Sequence, residues 1–187
     1  MHVQIIMGKI RSEIDDVARK FIEAQKIFFV ASAPLAASGH VNISPKGLDT
    51  FRILGPTTVA YLDFNGSGVE TVAHLKENGR IVLMFCAFQG PPDIFRLYGH
   101  GRAVEAHEPE FAVLSASFAN CEHARSIVVV EVTRVQDSCG YGVPLFAYEG
   151  ERTQLQAWAN KRGAEGLKAY RHEKNRKSID GLPGISE

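Results

Sequence analysis

Short segments rich in β-branched and aromatic residues, separated by turn formers, run through most of this sequence. The clearest is Arg80-Ile81-Val82-Leu83-Met84-Phe85-Cys86-Ala87-Phe88, which Gly90-Pro91-Pro92 ends. Such segments are too short for helices, and the helical stretches between them are too few for parallel βαβ units. The pattern therefore predicts an antiparallel sheet of six strands. We expect these strands over residues 27–31, 40–44, 57–62, 80–88, 95–104 and 126–135.

Helical patterns lie beside this predicted sheet. Apolar residues recur at helical spacing from about Ser12, a plausible N-cap, to Gln25. A short helix should run from Val69 to Asn78 and end at Gly79, and another should cover residues 109–118. From Arg152 the sequence becomes polar and helical. We therefore expect a mainly β fold, a six-stranded antiparallel barrel over residues 1–150, with an N-terminal helix, followed by a C-terminal helical extension and tail over residues 151–187.

The charge balance excludes one class of partner. Lysines plus arginines equal aspartates plus glutamates at 21 each, so the basic surface that non-specific nucleic-acid binding needs is lacking. Zero net charge also gives little protection against self-association. No apolar run approaches the length of a membrane span, and residues 1–7 are interpreted as an irregular N-terminus. Three widely spaced cysteines form no disulfide framework, which favours a reducing cytoplasm.

The first candidate binding motif is Asn42-Ile43-Ser44-Pro45-Lys46-Gly47, at the end of a predicted strand that Pro45 should stop. A phosphate needs positive charge, hydroxyl donors and free backbone amides. Lys46 provides the charge, Ser44 a hydroxyl, and Gly47 allows the backbone to approach closely. The alternative is a plain strand-to-turn exit with a solvated lysine, and the local pattern alone favours it.

The second candidate is Gly66-Ser67-Gly68, directly before the short helix. Glycines that precede a helix N-terminus form a potential anion site, although this loop matches neither a Walker A loop nor a dinucleotide fingerprint. The alternative is a turn in which Ser67 or Thr71 caps the helix. Glu70 is unfavourable for a phosphate, and we expect it to pair with a base or to face solvent.

Two further patterns are weaker. Arg96-x-x-Gly99-x-Gly101-Arg102 places two arginines and two glycines on one predicted strand, which suggests a bulge or a close backbone approach. These arginines can reach an anionic ligand or a partner subunit, and surface arginines on an edge strand are an equal alternative. The seven histidines form no metal-binding pattern, and no serine-hydrolase elbow is present.

Taken together, six segments resemble the pyridoxamine 5′-phosphate oxidase-like family of FMN-binding split barrels. Their order and spacing are more specific than any single segment. The segments are Phe28-Phe29-Val30, Val41-Asn42-Ile43-Ser44-Pro45-Lys46-Gly47, Val59-Ala60-Tyr61-Leu62-Asp63, Gly66-Ser67-Gly68-Val69-Glu70-Thr71, Glu77-Asn78-Gly79-Arg80 and Arg96-Leu97-Tyr98-Gly99-His100-Gly101.

The resemblance implies a homodimer with FMN in clefts between the subunits. It implies that the strand ending at Lys46 contacts the FMN phosphate and the edge of the isoalloxazine ring, and that two residues of the following strand flank the flavin. The turn, the helix start and the later strand would add further contacts. The implied cofactor-binding residues are Asn42, Ile43, Ser44, Lys46, Gly47, Tyr61, Leu62, Ser67, Thr71 and Arg96.

Two departures from the family pattern bear on activity. The vitamin-making oxidases have an Arg-Lys pair where this sequence has Glu70-Thr71, and their C-terminal Arg-x-His segment has no counterpart after Trp158. The resemblance therefore implies an FMN-dependent oxidoreductase acting on another small molecule. Alternatives are a flavin-binding or sensing module without turnover, and a split barrel that uses haem or a deazaflavin. The tail Ser178–Gly184 is either disordered or folded over the partner's flavin cleft.

Overall fold

Eight antiparallel strands within the described part of the chain form one sheet that curls into a half-barrel. The structure is a computed structural model that describes residues 8–186. The strands are β1 (Ile10–Arg11), β2 (Phe28–Ser32), β3 (Asn42–Lys46), β4 (Phe51–Ile53), β5 (Thr58–Phe64), β6 (Arg80–Cys86), β7 (Ile94–Glu105) and β8 (Ala124–Ser138). The helices are α1 (Asp16–Ala24), α2 (Glu70–Asn78), α3 (Pro109–Ser115) and α4 (Gln154–Lys174).

The hydrogen-bonding order of the sheet is β3-β2-β6-β7-β8-β5-β4, and β1 pairs with the far end of β8. The antiparallel fold class predicted from the sequence is confirmed, and each of the six expected strands has a counterpart. Two short strands, β1 and β4, were not predicted, because segments of two and three residues carry no alternating pattern. Their partners β8 and β5 supply the hydrogen bonds that hold them in the sheet.

The main apolar core joins strands from both sides of the sheet. The Phe28 ring of β2 stacks on Phe85 of β6, with ring centroids 5.5 Å apart, and Tyr61 of β5 packs edge-on against Phe28. From α1, Ala18 and Ile22 are buried in the same cluster. Burial of this apolar surface is what drives the sheet to curl around its own side chains.

Helix α1 starts later than the sequence indicated. The predicted N-cap was Ser12, but Asp15 caps the helix, and its carboxylate accepts the amide N–H of Ala18 at 2.9 Å. The end of the helix at Gln25 was predicted correctly. Residues 10–11 extend along β8 instead, because β8 continues past the end of its pairing with β5 and offers free backbone groups on that side.

The prediction that Pro45 stops its strand was wrong. β3 continues through Pro45 to Lys46, with Pro45 opposite Phe29 of β2. β3 is the edge of the sheet, so its backbone needs partners on one side only, and a residue without an N–H is tolerated on the outer side. This extension keeps Lys46 in the regular alternation of the strand.

The C-terminal tail packs on its own chain and is not disordered, while its expected course over the partner's flavin cleft stays a prediction. Ile185 is buried against Val69 and Val72 at the start of α2. The Asp180 carboxylate accepts hydrogen bonds from the ring Nδ1 and the backbone N–H of His40, at 2.7 and 2.8 Å. The tail therefore lies beside α2 and the loop that precedes it.

Residues 1–7 and 187 lie outside the described residues, so the irregular N-terminus expected from the sequence stays a prediction. Across residues 8–186 we find no helix with the length and apolar character that crossing a membrane requires. The proposed boundary near residue 150 also stays a prediction. The structure shows α4 beginning after it at Gln154, with a kink at Gly163.

A β-bulge interrupts the pairing of the two longest strands. Tyr98 pairs with Arg134 and Gly99 with Val132, so Thr133 is an extra residue on β8. A side chain at Gly99 would place its Cβ 2.1 Å from the carbonyl oxygen of Glu131. The bulge and the close backbone approach expected from the glycines of this strand are both present.

Gly99→Ala should therefore destabilise the protein, since backbone atoms of β8 must move to admit the methyl group. We expect a loss of about 1–3 kcal/mol in the free energy of unfolding, measured by urea denaturation. Gly142→Ala is the control, because nothing lies within 4 Å of a Cβ there. Equal stability of the two variants would contradict this account of the bulge.

Candidate anion-binding site

The alternation of β3 brings three polar side chains to the same side of the edge strand. Asn42, Ser44 and Lys46 are half-buried, whereas Ile43 and Pro45 between them are exposed. Successive side chains of a strand point to opposite faces, so the three polar groups form a row. This row faces the end of β5 and the loop before α2.

A polar cavity of about 300 Å³ lies between these elements. It combines residues from four places in the sequence: β3, the end of β5, the glycine loop with the start of α2, and the start of β8. Its lining residues are Asn42, Ser44, Lys46, Asp63, Phe64, Gly66, Ser67, Gly68, Glu70, Thr71 and Arg125.

A buried carboxylate organises the positive charges of this cavity. Asp63 accepts hydrogen bonds from Arg125 Nε at 2.7 Å, from Lys46 Nζ at 3.1 Å and from Ser126 Oγ at 3.3 Å. Burial alone raises the pKa of the Asp63 carboxyl, but the charges of Arg125 and Lys46 and their hydrogen bonds outweigh burial and lower that pKa to about 2. Asp63 is therefore ionised at neutral pH.

A second bulge explains how Arg125 reaches Asp63. Asp63 pairs with Ser126 while Phe64 pairs with Ala124, so Arg125 is an extra residue on β8. Bulges redirect side chains, and here Arg125 and its neighbour Ser126 both contact the same carboxylate. Regular alternation would place adjacent side chains on opposite faces.

The glycine loop and the start of α2 close the other side of the cavity. Arg125 Nη1 donates to the carbonyl oxygen of Gly68 at 2.9 Å. The Asn42 amide donates to the Thr71 hydroxyl at 2.9 Å, which ties β3 to α2. Glu70 also lines the cavity, and its carboxylate accepts the backbone N–H of Ile179 at 3.2 Å. Of the two environments expected for Glu70, a basic partner or solvent, no basic partner is present among the described residues, and the carboxylate contacts the tail.

Five of the ten sequence-predicted binding residues meet in this cavity. β3 supplies three of them, the glycine loop one and the first turn of α2 one. None of the capping roles considered for the helix is present, because its N-cap is Val69 without a side-chain hydrogen bond. The five residues are Asn42, Ser44, Lys46, Ser67 and Thr71.

The other five do not line the cavity. Ile43 is 63% exposed on the opposite face of β3, and Arg96 donates to the Ser138 hydroxyl at 2.8 Å. Tyr61 and Leu62 have their side chains buried in two different apolar clusters. Gly47 borders a neighbouring cavity. The residues of β5 that do line the anion cavity are the next two along the strand.

Sequence reasoning missed Asp63 and Arg125 as site residues. Asp63 closes a strand that is otherwise apolar, and an acid in that position is a usable signal of a buried ion pair. Arg125 gave no signal, because its approach to Asp63 depends on the bulge. A single sequence does not show which cation compensates a buried carboxylate.

A larger cavity of about 720 Å³ adjoins the first and shares Lys46 with it. Apolar side chains of Ile27, Leu48 and Leu155 contribute to its walls. Segment 148–152, between the sheet and α4, forms one side of it. The Glu151 carboxylate holds this segment against the β3–β4 turn by accepting the Leu48 N–H at 3.2 Å.

Comparison with known proteins agrees with this architecture. A family model described as pyridoxamine 5′-phosphate oxidase matches residues 14–139. The chain belongs to the pyridoxamine 5′-phosphate oxidase family. A member of this family from Aspergillus flavus, named pyridoxamine 5′-phosphate oxidase family protein ustO, is 38% identical over 189 residues. That similarity covers 92% of this chain and 76% of the fungal protein.

Several solved structures share the fold of this chain. HupZ of Group A Streptococcus is similar with a TM-score of 0.53 and 19% identity, covering 66% of this chain and 98% of HupZ. A protein of Clostridium acetobutylicum related to general stress protein 26, of the pyridoxinephosphate oxidase family, has a TM-score of 0.52 and 14% identity. The match covers 66% of this chain and 86% of the clostridial protein. At these identities the similarity concerns the fold alone.

The lowered pKa of Asp63 predicts an acid-sensitive contribution to stability. The ordinary carboxyl value is 3.8 and the folded value is about 2, so the stabilisation is complete above about pH 4 and is lost as pH falls toward 2. The difference corresponds to about 2 kcal/mol of unfolding free energy. Urea denaturation between pH 5 and pH 2.5 should show this slope in the wild type and a shallower slope in Asp63→Asn. Identical slopes in the two proteins would refute the assignment.

Proposed function

We propose that this protein binds FMN, with the phosphate in the anion-binding cavity, and acts as an FMN-dependent oxidoreductase on a small molecule. The observation that carries the proposal is the pairing of Lys46 and Arg125 with the buried carboxylate of Asp63, beside a glycine loop and a helix N-terminus. Membership of the pyridoxamine 5′-phosphate oxidase family supports a phosphate-bearing cofactor at this place.

The donor groups of the cavity suit a phosphate monoester. Within the ion-pair cluster, Lys46 and Arg125 carry two positive charges against the one negative charge of Asp63, which leaves an excess of one there, and Glu70 is the remaining charged residue of the lining. The hydroxyls of Ser44, Ser67 and Thr71 add donors of the kind that bind phosphate oxygens. The N-terminus of α2 adds backbone amides and the positive end of the helix dipole.

The adjoining 720 Å³ cavity has the size of a small-molecule site, and we assign the flavin ring and the substrate to it. Lys46 borders both cavities, so it can contact the phosphate side and the ring side of one bound cofactor. Leu48 and Leu155 offer apolar surface, and Tyr148 an aromatic ring. Bound FMN would supply the electron transfer, while these residues bind, orient and limit access of water.

The substrate is proposed to differ from pyridoxamine 5′-phosphate. At the start of α2 the chain has Glu70 and Thr71, where the vitamin-making oxidases have Arg and Lys. With Glu70 included, the charged residues of the lining sum to zero, so a second phosphate group is disfavoured there. Three free cysteines, Cys86, Cys121 and Cys139, support our proposal of a cytoplasmic location.

We further propose that the functional unit is a homodimer formed through the outer face of β3, β2, β6 and β7. Ile43 pairs with Ala31, Ala31 with Val82, and Val82 with Tyr98, so their side chains share one face of the sheet. The adjacent row on that face runs through Pro45, Phe29 and Met84 to Arg96 on β7. A second copy is the proposed occupant, because the net charge is zero and β3 joins this apolar face to the anion-binding cavity.

The first test removes the proposed phosphate-binding charge. Lys46→Met should weaken FMN binding by about 1.5–3 kcal/mol, the cost of a hydrogen bond to a charged group, or roughly 10- to 150-fold in Kd. Binding is measured by flavin fluorescence quenching and by absorbance near 450 nm. Lys20→Met, an exposed lysine on α1, is the matched control and should bind FMN as the wild type does. An unchanged Kd in Lys46→Met would show that the phosphate lies elsewhere.

The wild-type protein alone separates the alternatives. Failure to bind added FMN would remove both the enzyme and the flavin-sensor hypotheses, and leave haem or a deazaflavin to be tested. Bleaching of bound FMN by a nicotinamide donor, or oxygen uptake with a substrate panel, supports turnover. FMN binding without either reaction supports a non-catalytic module.

The dimer proposal is tested on an exposed residue of the apolar face. Ile43→Asp should convert the dimer to a monomer, because a carboxylate would have to be buried in the interface without a partner. Val17→Asp on α1 is the control, since Val17 is 64% exposed and α1 packs against the opposite, core side of the sheet. Sedimentation velocity gives the mass of each variant. A monomeric wild type, or a dimeric Ile43→Asp, would contradict the proposed interface.

A further inference from the structure

The glycine loop is held from behind by a residue of the C-terminal segment. Asn175, at the end of α4, is fully buried, and its side-chain amide donates to the carbonyl oxygen of Gly66 at 2.9 Å. The same amide lies 3.5 Å from the carbonyl oxygen of Gly68. Asn175 is more than 100 residues away in sequence from the loop that it contacts.

Because the peptide unit is planar, this contact also fixes the direction of the N–H group that follows the held carbonyl. The C=O of Gly66 and the N–H of Ser67 belong to one trans peptide and point in opposite directions. Asn175 holds the Gly66 oxygen, so the Ser67 N–H points away from Asn175. Arg125 Nη1 holds the Gly68 oxygen in the same way and orients the N–H of Val69. Neither N–H finds an acceptor within residues 8–186.

The tail fixes Asn175 independently of any ligand. The N–H of Asn175 donates to Arg171, and its C=O accepts the N–H of Ile185 at 2.8 Å. Farther along, the Ser186 N–H donates to the buried Glu105 carboxylate at 2.7 Å, and Lys76 donates to the same carboxylate at 2.6 Å. The segment is therefore anchored at both ends.

Asn175 keeps this place at an energetic cost. Its Oδ1 is buried and has no hydrogen-bond partner among the described residues. An unsatisfied buried polar atom is unfavourable, and an apolar side chain of similar size would avoid it. The side chain is therefore present for its donor, which contacts the loop of the proposed phosphate site.

We infer that Asn175 is a positioning residue that presents the Ser67 and Val69 amides to the cofactor phosphate. This inference rests on the proposed function. It assigns a role to the C-terminal segment that the sequence did not indicate. In this inference the segment acts on FMN through the loop of its own chain.

The test compares two ligands that differ only in the phosphate. Asn175→Leu should weaken FMN binding roughly five- to tenfold and change riboflavin binding less than about twofold, since the lost orientation concerns the phosphate contacts alone. Ser178→Ala is the matched control, because it removes a hydrogen bond to Leu182 inside the tail and none to the loop. It should leave the ratio of the FMN and riboflavin Kd values unchanged.

Each outcome decides the inference. An equal loss of affinity for FMN and riboflavin in Asn175→Leu would mean that the residue supports the fold only. An equal loss of the preference for FMN over riboflavin in Ser178→Ala would show that the effect belongs to the whole tail and not to Asn175. If Asn175→Leu does not fold, amide exchange in the wild type decides: FMN, but not riboflavin, should slow exchange at Ser67 and Val69. Absence of that difference overturns the inference. A wild type that binds no FMN would refute the proposed function itself.

Discussion

A carboxylate buried at the end of β5 sets the arrangement of the whole site. Asp63 is almost inaccessible to water, so its charge must be compensated within the protein. Lys46 comes from β3 at one edge of the sheet order, and Arg125 from β8 next to β5. The ion pair of Lys46 with Asp63 therefore connects β3 and β5, two strands that are not hydrogen-bonded to each other, and the cavity forms where they meet.

The sheet provides the rigid frame for this cluster. One side of β2 and β6 is buried in the aromatic core, while the other carries the apolar row that we assign to a second copy. β3 lies between these two environments, with its polar residues toward the cavity and Ile43 and Pro45 on the outer face. The proposed cofactor site and the proposed dimer interface thus share one edge strand.

The loop before α2 shows how distant segments shape a binding site. The amides that we assign to the phosphate belong to Ser67 and Val69, and Arg125 and Asn175 hold the loop carbonyl groups that precede them in place. The Glu70 carboxylate, which lines the cavity, accepts a hydrogen bond from the backbone N–H of Ile179 in the tail. A loop that is short and flexible by composition becomes defined by contacts on its outer side.

The sequence by itself determined the antiparallel class, the six longer strands, the C-terminal ends of α1 and α2, and the alternation that places Asn42 and Ser44 on one face of β3; the continuation of that row to Lys46 came from the structure. These features depend on local periodicity and turn chemistry, which a single sequence displays. It did not determine which end residues of β5 line the cavity, because both alternating positions there are buried. Only the tertiary structure decided the roles of Arg125 and Asn175. Both depend on long-range contacts, one produced by a bulge and the other by the return of the tail, and neither leaves a periodic pattern in the sequence.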